Sequence, residues 1–154
     1  MMIRPSVRAD IPALQDVLAA TGLFPAEMLP DMMGFWTAGD EGSYWLTAEE
    51  GGKALGFCHA RPEALTEGTW NMLAIAVHPQ AQGRKLGSAL VDALEKVLHK
   101  AGQRILLADT SGTAAFAQTR EFYRKNGYAE EARIRDFWAE GDDKVTFRKT
   151  LKML

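Results

Sequence analysis

The stretch from Trp70 to Gly102 constrains this chain most. Trp70–Val77 is a nearly continuous apolar run, the pattern of a strand buried on both faces, and Pro79 closes it. A tight loop with Gly83 and Gly87 follows. Leu86, Leu90, Ala93, Leu94, Val97, Leu98 and Ala101 then recur at helical spacing, with Asp92, Glu95, Lys96, His99 and Lys100 facing outward and Gly102 as the stop. The spacing predicts a helix over 83–101. A buried strand, a glycine turn and a long amphipathic helix in that order point to a mixed α/β domain built on one sheet.

The flanking sequence completes that sheet. Residues 2–8 suggest a first strand. Asp10 is placed to cap a helix that carries Leu14, Val17 and Leu18 on one face and stops at Gly22. Pro25 opens a second short helix with Met28, Leu29, Met32 and Phe35 apolar, and the span from Gly39 to Gly42 reads as a turn. Two strand-like runs, Tyr44–Ala48 and Ala54–Ala60, are joined through Gly51-Gly52, a hairpin signal. Ile105–Ala108 is a further short strand. Residues 114–126 read as a helix ended by Gly127, and Tyr128–Ile134 with Lys144–Leu151 read as a last antiparallel pair. The predicted order is β-α-α-β-β-β-α-β-α-β-β.

Bulk properties exclude several classes. The chain has 154 residues, the size of one domain, so a single domain over 1–154 is expected. Its formal net charge of -2 argues against a nucleic-acid partner. Basic residues do gather locally, at Arg84, Lys85, Arg120, Arg124 and Lys125. Cys58 is the one cysteine, so neither an intramolecular disulfide nor a cysteine metal cluster can form. No signal peptide and no apolar run of membrane-spanning length is present, which makes a cytoplasmic protein without a membrane partner the expectation.

The turn at Val77–Ser88 carries the chemistry. The first turn of a helix has free backbone N–H groups and the positive end of the helix dipole. Gly83 and Gly87 keep side chains away from a close ligand, Arg84 and Lys85 add positive charge, and Ser88 adds a hydroxyl. Such an arrangement suits a pyrophosphate. A helix start with two convenient glycines is the plainer alternative. The P-loop pattern and the dinucleotide fingerprint are both absent.

The segment Gln82-Gly83-Arg84-Lys85-Leu86-Gly87 resembles the coenzyme A loop of the GNAT superfamily of N-acetyltransferases, [Q/R]-x-x-G-x-[G/A]. Gln82 and Gly87 match its ends, and Lys85 stands where the middle glycine usually sits. That exchange is tolerable if the backbone at Lys85 is helical. Phe122-Tyr123-Arg124-Lys125-Asn126-Gly127-Tyr128 is similar to a second family segment, F-Y-x-x-x-G-[F/Y], in the expected order and spacing. Phe116 and Thr119 replace the asparagine and alanine usual before that tyrosine, so the asparagine's cofactor contact is not carried over. The resemblance implies a GNAT-like α/β fold, with a twisted, mostly antiparallel central sheet and flanking helices. It also implies acetyl-CoA as cosubstrate and no metal. Ile75, Ala76 and Val77, with Gln82, Gly83, Arg84, Lys85, Leu86, Gly87, Ser88 and Tyr123, become the expected cofactor contacts, the backbone near Ile75–Val77 serving the acetyl carbonyl.

Aminolysis of a thioester expels a thiolate, and a phenol can donate to it while staying protonated at neutral pH. The family's equivalent tyrosine has this role, which falls here on Tyr123; Phe122 reads as core. The acceptor ammonium must first lose a proton, and Asp109 at a strand end and Glu67 before the central strand are the candidates by location, Glu67 reading better as a loop carboxylate. Cys58 and His59 point to opposite faces of a strand and do not form a dyad. His78 and His99 read as a loop and a surface residue. The acidic and aromatic span Asp136–Asp143 and the region Met28–Trp36 flank the acceptor site in the family, and they suit a cationic amine.

The implied function is transfer of an acetyl group to a primary amine of a small molecule or peptide. A coenzyme A-binding regulatory domain without turnover is the alternative, and a binding module that uses the cleft without the cofactor is a third class. Homodimers are common in the family, and nothing in the sequence decides that point.

Overall fold

The structure, a computed structural model, describes residues 1–34, 36 and 42–151. Its main elements are β1 (Met2–Pro5), α1 (Ile11–Thr21), α2 (Leu29–Met33), β2 (Tyr44–Glu50), β3 (Lys53–Pro62), β4 (Thr69–Val77), α3 (Leu86–Lys100), β5 (Ile105–Ser111), α4 (Ala117–Lys125), β6 (Ala129–Ala139) and β7 (Asp142–Thr150). This is the predicted order. The strands form one sheet in the order β1-β2-β3-β4-β5-β7-β6. Its β4–β5 pair is parallel, while β1–β2, β2–β3, β5–β7 and β6–β7 are antiparallel. The mixed α/β architecture with a mostly antiparallel sheet is therefore present.

Two compact units divide the chain, Met1–Arg61 with Leu73–Val97 and Pro62–Met72 with Leu98–Leu154. In the first unit, α1 and α2 bury Leu14, Val17, Leu18, Leu29 and Met33 with Trp45, Phe57, Ala74 and Ala76 of the sheet. The hairpin between β2 and β3 turns through Gly51 and Gly52, at φ 61° and 78°, which are the two positive values a tight hairpin needs. Asp10 stands at the N-cap of α1, but its side chain makes no cap bond to that helix. Burial raises its carboxyl, but the bonds it accepts from Arg4, the Val7 N–H and the Thr47 hydroxyl together hold it below its usual range. Phe35 and residues 39–41 of the expected turn lie outside the described residues.

In the second unit, Leu106 and Ala108 of β5 alternate inward and meet a core that includes Tyr123, Tyr128, Val145 and Phe147. The hairpin β6–β7 is longer than the sequence suggests. β6 continues past Ile134 to Ala139, so Asp136–Ala139 and Asp142–Asp143 belong to strands, with only Glu140 and Gly141 turning. The reason is a register shift between Ile134 and Ala139, where Asp136 takes a left-handed φ of 59° and breaks the alternation that marks a strand.

Candidate functional site

In the first unit, β4 delivers the chain to the loop that the sequence singles out. The His78 N–H donates to the Leu55 carbonyl at 2.7 Å, and His78 Nδ1 accepts from the Gln80 N–H, so His78 is a loop-fixing residue. A single turn of tight helix over Pro79–Ala81 buries Ala81. Gln82 is extended, and its amide donates to the Val77 carbonyl at 3.4 Å. Gly83 then takes φ 87°. Its would-be Cβ meets nothing within 4 Å, so the demand for glycine there is conformational and not spatial.

Lys85 corrects the sequence reading. Its φ is 63°, in the left-handed region, and α3 begins only at Leu86. The Lys85 carbonyl accepts the Ala89 N–H at 3.0 Å, the first bond of the helix. The loop thus uses two left-handed residues, Gly83 and Lys85, to turn into α3, which pushes the helix start three residues beyond Gly83. A lysine in that conformation costs about 1–2 kcal/mol relative to a right-handed one. The free N–H groups of the first turn belong to Leu86, Gly87 and Ser88. Arg84 is ion-paired with Glu50 at 2.6 Å on the surface, so its charge is already partly answered, whereas Lys85 is exposed. At the other end α3 stops at Lys100, which leaves Ala101 exposed, and Val91 joins the buried stripe.

β4 itself is not buried on both faces. Trp70, Met72, Ala74 and Ala76 alternate inward, but Leu73 is exposed and Ile75 and Val77 are half-buried. Gly56 lets β3 approach this strand, since a Cβ there would stand 2.9 Å from the Ala76 carbonyl oxygen.

In the second unit, Asp109 lies inside β5, which runs on to Ser111, and not at a strand end. It pairs across the sheet with Thr146, whose hydroxyl donates to Asp109 Oδ1 at 2.6 Å. Asn71 Nδ2 donates to Asp109 Oδ2 at 3.0 Å and to Glu63 Oε1 at 3.0 Å, and Lys144 Nζ stands 3.9 Å from Asp109 Oδ2. The Asp109 side chain remains 19% exposed, enough to meet a ligand. Asn71 and Glu63 were not singled out by the sequence reading. Asn71 had a signal, as the one polar side chain inside Trp70–Val77; Glu63, in a loop, had none. Glu67 is exposed, and its backbone carbonyl accepts from Arg104 at 2.7 Å.

Tyr123 and Phe122 exchange their expected roles in packing. Tyr123 is 4% exposed, and its ring meets Phe122, Tyr128 and Phe147 with centroids 5.4–5.9 Å away, while Phe122 is only half-buried. Phe116 is exposed at the turn before α4. The aromatic span of β6 already meets a cation of this chain, with Lys144 Nζ 4.5 Å from the centre of the Phe137 ring. Trp138 Nε1 donates to the Thr110 carbonyl.

Back in the first unit, Cys58 is fully buried, and burial pushes its thiol up to about 12, which leaves it inert as a nucleophile. His59 stacks on Trp45 at 3.9 Å and shares Nδ1 with the Tyr44 carbonyl. No group of three or more His, Cys, Asp or Glu among the described residues could hold a metal ion. No helix among them is long and apolar enough to cross a membrane.

Comparison with known proteins agrees with the fold. The family described as acetyltransferase (GNAT) domain matches residues 40–130. A protein of known structure from Desulfovibrio desulfuricans, assigned to the GNAT acetyltransferase family, is 31% identical over 98% of this chain and 99% of its own, with a TM-score of 0.88. An aminoglycoside 6'-N-acetyltransferase complexed with coenzyme A is 20% identical over 100% and 99% of the two chains, with a TM-score of 0.80. The ribosomal-protein-S18-alanine N-acetyltransferase of Escherichia coli is 20% identical over 99% and 95%, also with a TM-score of 0.80. These last two likenesses are of fold alone. No curated protein sequence matches the chain. The chain belongs to the GNAT acetyltransferase family and is an acyltransferase by class.

Proposed function

We propose that this protein transfers the acetyl group of acetyl-CoA directly to a primary amine. The observation that carries the reading is the loop from Gln82 to Gly87. Its left-handed Gly83 and Lys85 turn the backbone so that a run of N–H groups opens α3, an arrangement suited to a pyrophosphate. A structural neighbour holds coenzyme A, which supports the same donor. The family match over residues 40–130 takes in parts of both compact units, which supports reading the chain as one acetyltransferase domain.

In this reading Gln82, Gly83, Arg84, Lys85, Leu86, Gly87 and Ser88 hold the pyrophosphate, with Lys85 as the free cation and Arg84 available when it leaves Glu50. Backbone groups of Ile75, Ala76 and Val77 lie beyond the parallel register that joins Thr69–Met72 to β5, and they polarise the thioester carbonyl. The amine nitrogen bonds to the carbonyl carbon and gives up its proton to Asp109. The carbon–sulfur bond breaks with its electron pair going to sulfur, and Tyr123 supplies the proton that the thiolate takes up. The acceptor is a small molecule or a peptide. The protein works in the cytoplasm, without metal, membrane or nucleic acid.

Donor binding is tested by titration calorimetry with acetyl-CoA against the wild type and Gly87→Glu. The carboxylate should abolish binding, and wild-type affinity in the variant would remove the loop assignment.

A further inference from the structure

In the second unit, the loop that joins β3 to β4 carries two costs with no return inside the chain. Leu65 takes a left-handed φ of 66°, a conformation that L side chains seldom adopt, and its side chain is fully exposed. Glycine or asparagine would serve the turn alone. The loop around it is held: the Glu63 N–H donates to the Thr69 carbonyl at 2.8 Å, and the Thr66 hydroxyl donates to the Glu63 carbonyl at 2.8 Å. A strained residue on a fixed turn marks a group aimed at a partner. Glu67, also exposed, follows two residues on.

Beside this loop lies a pocket of about 320 Å³ lined by His99, Gln103, Arg104, Ile105, Arg148 and Leu151 among others. Arg104 Nε donates to the Glu67 carbonyl at 2.7 Å, and the Arg104 N–H donates to the Gly68 carbonyl at 2.7 Å, so loop and pocket stand side by side at one end of the sheet. Ile105 and Leu151 make part of the lining apolar. Arg104, Arg148 and His99 make the rest basic, and no carboxylate among the described residues lines it. The negative end of the α3 dipole answers His99, which sits in the last turn of that helix, and leaves the two arginines without a counter-charge in the lining. A leucine followed closely by a carboxylate complements a hollow that is part apolar and part basic. Within one chain the two do not meet, since Leu65 is fully exposed. Two copies related by a two-fold axis can exchange them, because knob and pocket are neighbours on the same surface.

We propose that a second copy of this chain docks here, with Leu65 of each copy in the pocket of the other and Glu67 facing the arginines of its lining. Burial of the leucine offsets the cost of its backbone conformation. The contact uses none of the residues assigned to donor binding or to catalysis, so it does not depend on the transferase reading.

The test is analytical ultracentrifugation of the full chain at low salt, up to about 300 µM. One loop and one pocket from each chain make a contact at the small end of specific interfaces, about 1,000 Å² in all, so the dimer should form at roughly tens of micromolar. Leu65→Asn keeps a residue that tolerates the left-handed turn and removes the apolar knob, while Arg148→Glu reverses a charge of the pocket. Each should weaken the dimer by about tenfold or more. At concentrations where both are monomeric, Leu65→Asn should melt no lower than the wild type. A wild type that stays monomeric throughout, or a dimer that either variant leaves intact, would overturn the proposal. So would a Leu65→Asn protein that melts well below the wild type, since the leucine would then serve its own fold. A monomer whose Tm rises with inorganic phosphate would give the pocket to a free anion and overturn it as well.

Discussion

The Thr146 hydroxyl donates to Asp109 Oδ1 at 2.6 Å from the directly opposite position on the neighbouring antiparallel strand. The pairing aims the carboxylate, because a strand partner fixes both the distance and the face of the sheet. If Asp109 takes the proton of the acceptor amine, Asp109→Asn should lower kcat/KM by about a hundredfold or more. Thr146→Val should cost about 1–2 kcal/mol of stability and part of kcat, since a carboxylate loses a charge-assisted bond. Steady-state kinetics and urea denaturation check the two changes. Undiminished kcat/KM in Asp109→Asn contradicts the base assignment.

Tyr123→Phe removes one hydroxyl and leaves a ring of the same shape among Phe122, Tyr128 and Phe147. The fold and the affinity for coenzyme A should therefore stay near wild type while kcat drops by about a hundredfold. A kcat that does not fall, with the chemical step shown to limit turnover, contradicts the acid role.

Lys85→Gly places at φ 63° the residue that prefers it. The left-handed penalty outweighs the extra freedom that glycine brings to the unfolded chain, so the cofactor-free protein should gain about 0.5–1 kcal/mol. The same change removes the exposed cation, and acetyl-CoA should bind more weakly. Thermal melting with and without ligand separates the effects. Gly56→Ala is the opposite case. Its Cβ would press on the Ala76 carbonyl at 2.9 Å and on Val77 at 3.3 Å, and should destabilise the protein by about 1–3 kcal/mol in urea denaturation.

His59 gives a pH signature. Burial against Trp45 lowers its pKa from 6.5 to about 4; the bond to the Tyr44 carbonyl opposes the shift, and Arg61 adds to it. A depressed folded value means that the unfolded chain binds the proton more readily. Its contribution is complete above pH 6.5 and fades as the pH falls through about 4, a loss of up to about 3 kcal/mol. His59→Gln should flatten the stability profile in that window. Equal slopes in the two proteins would contradict the shift.

The order of elements was legible because each carries a strong local signal, such as the leucine stripe of α3 or the Gly51-Gly52 hairpin. The misses have physical causes. Lys85 lies in a left-handed turn that residue type argues against, so the periodic reading extended α3 back to Gly83. The irregularity at Asp136 hid the outer half of β6. The carboxylate cluster was only half visible, since Asp109 could be suspected from its place in the sequence, whereas Asn71 and Glu63 reach it through a strand pairing and a loop that no spacing encodes. Tyr123 was found through its resemblance to a family segment, and its burial gives no sign of catalysis by itself.

The central claim is that this chain acetylates an amine. Free thiol should be followed with acetyl-CoA and a panel of amines, from monoamines and diamines to aminoglycosides and peptides with a free N-terminus, with mass spectrometry of the acceptor. The account predicts amine-dependent thiol release and a product carrying one added acetyl group, both lost in Gly87→Glu. Tight coenzyme A binding with no amine-dependent release across that panel would contradict it.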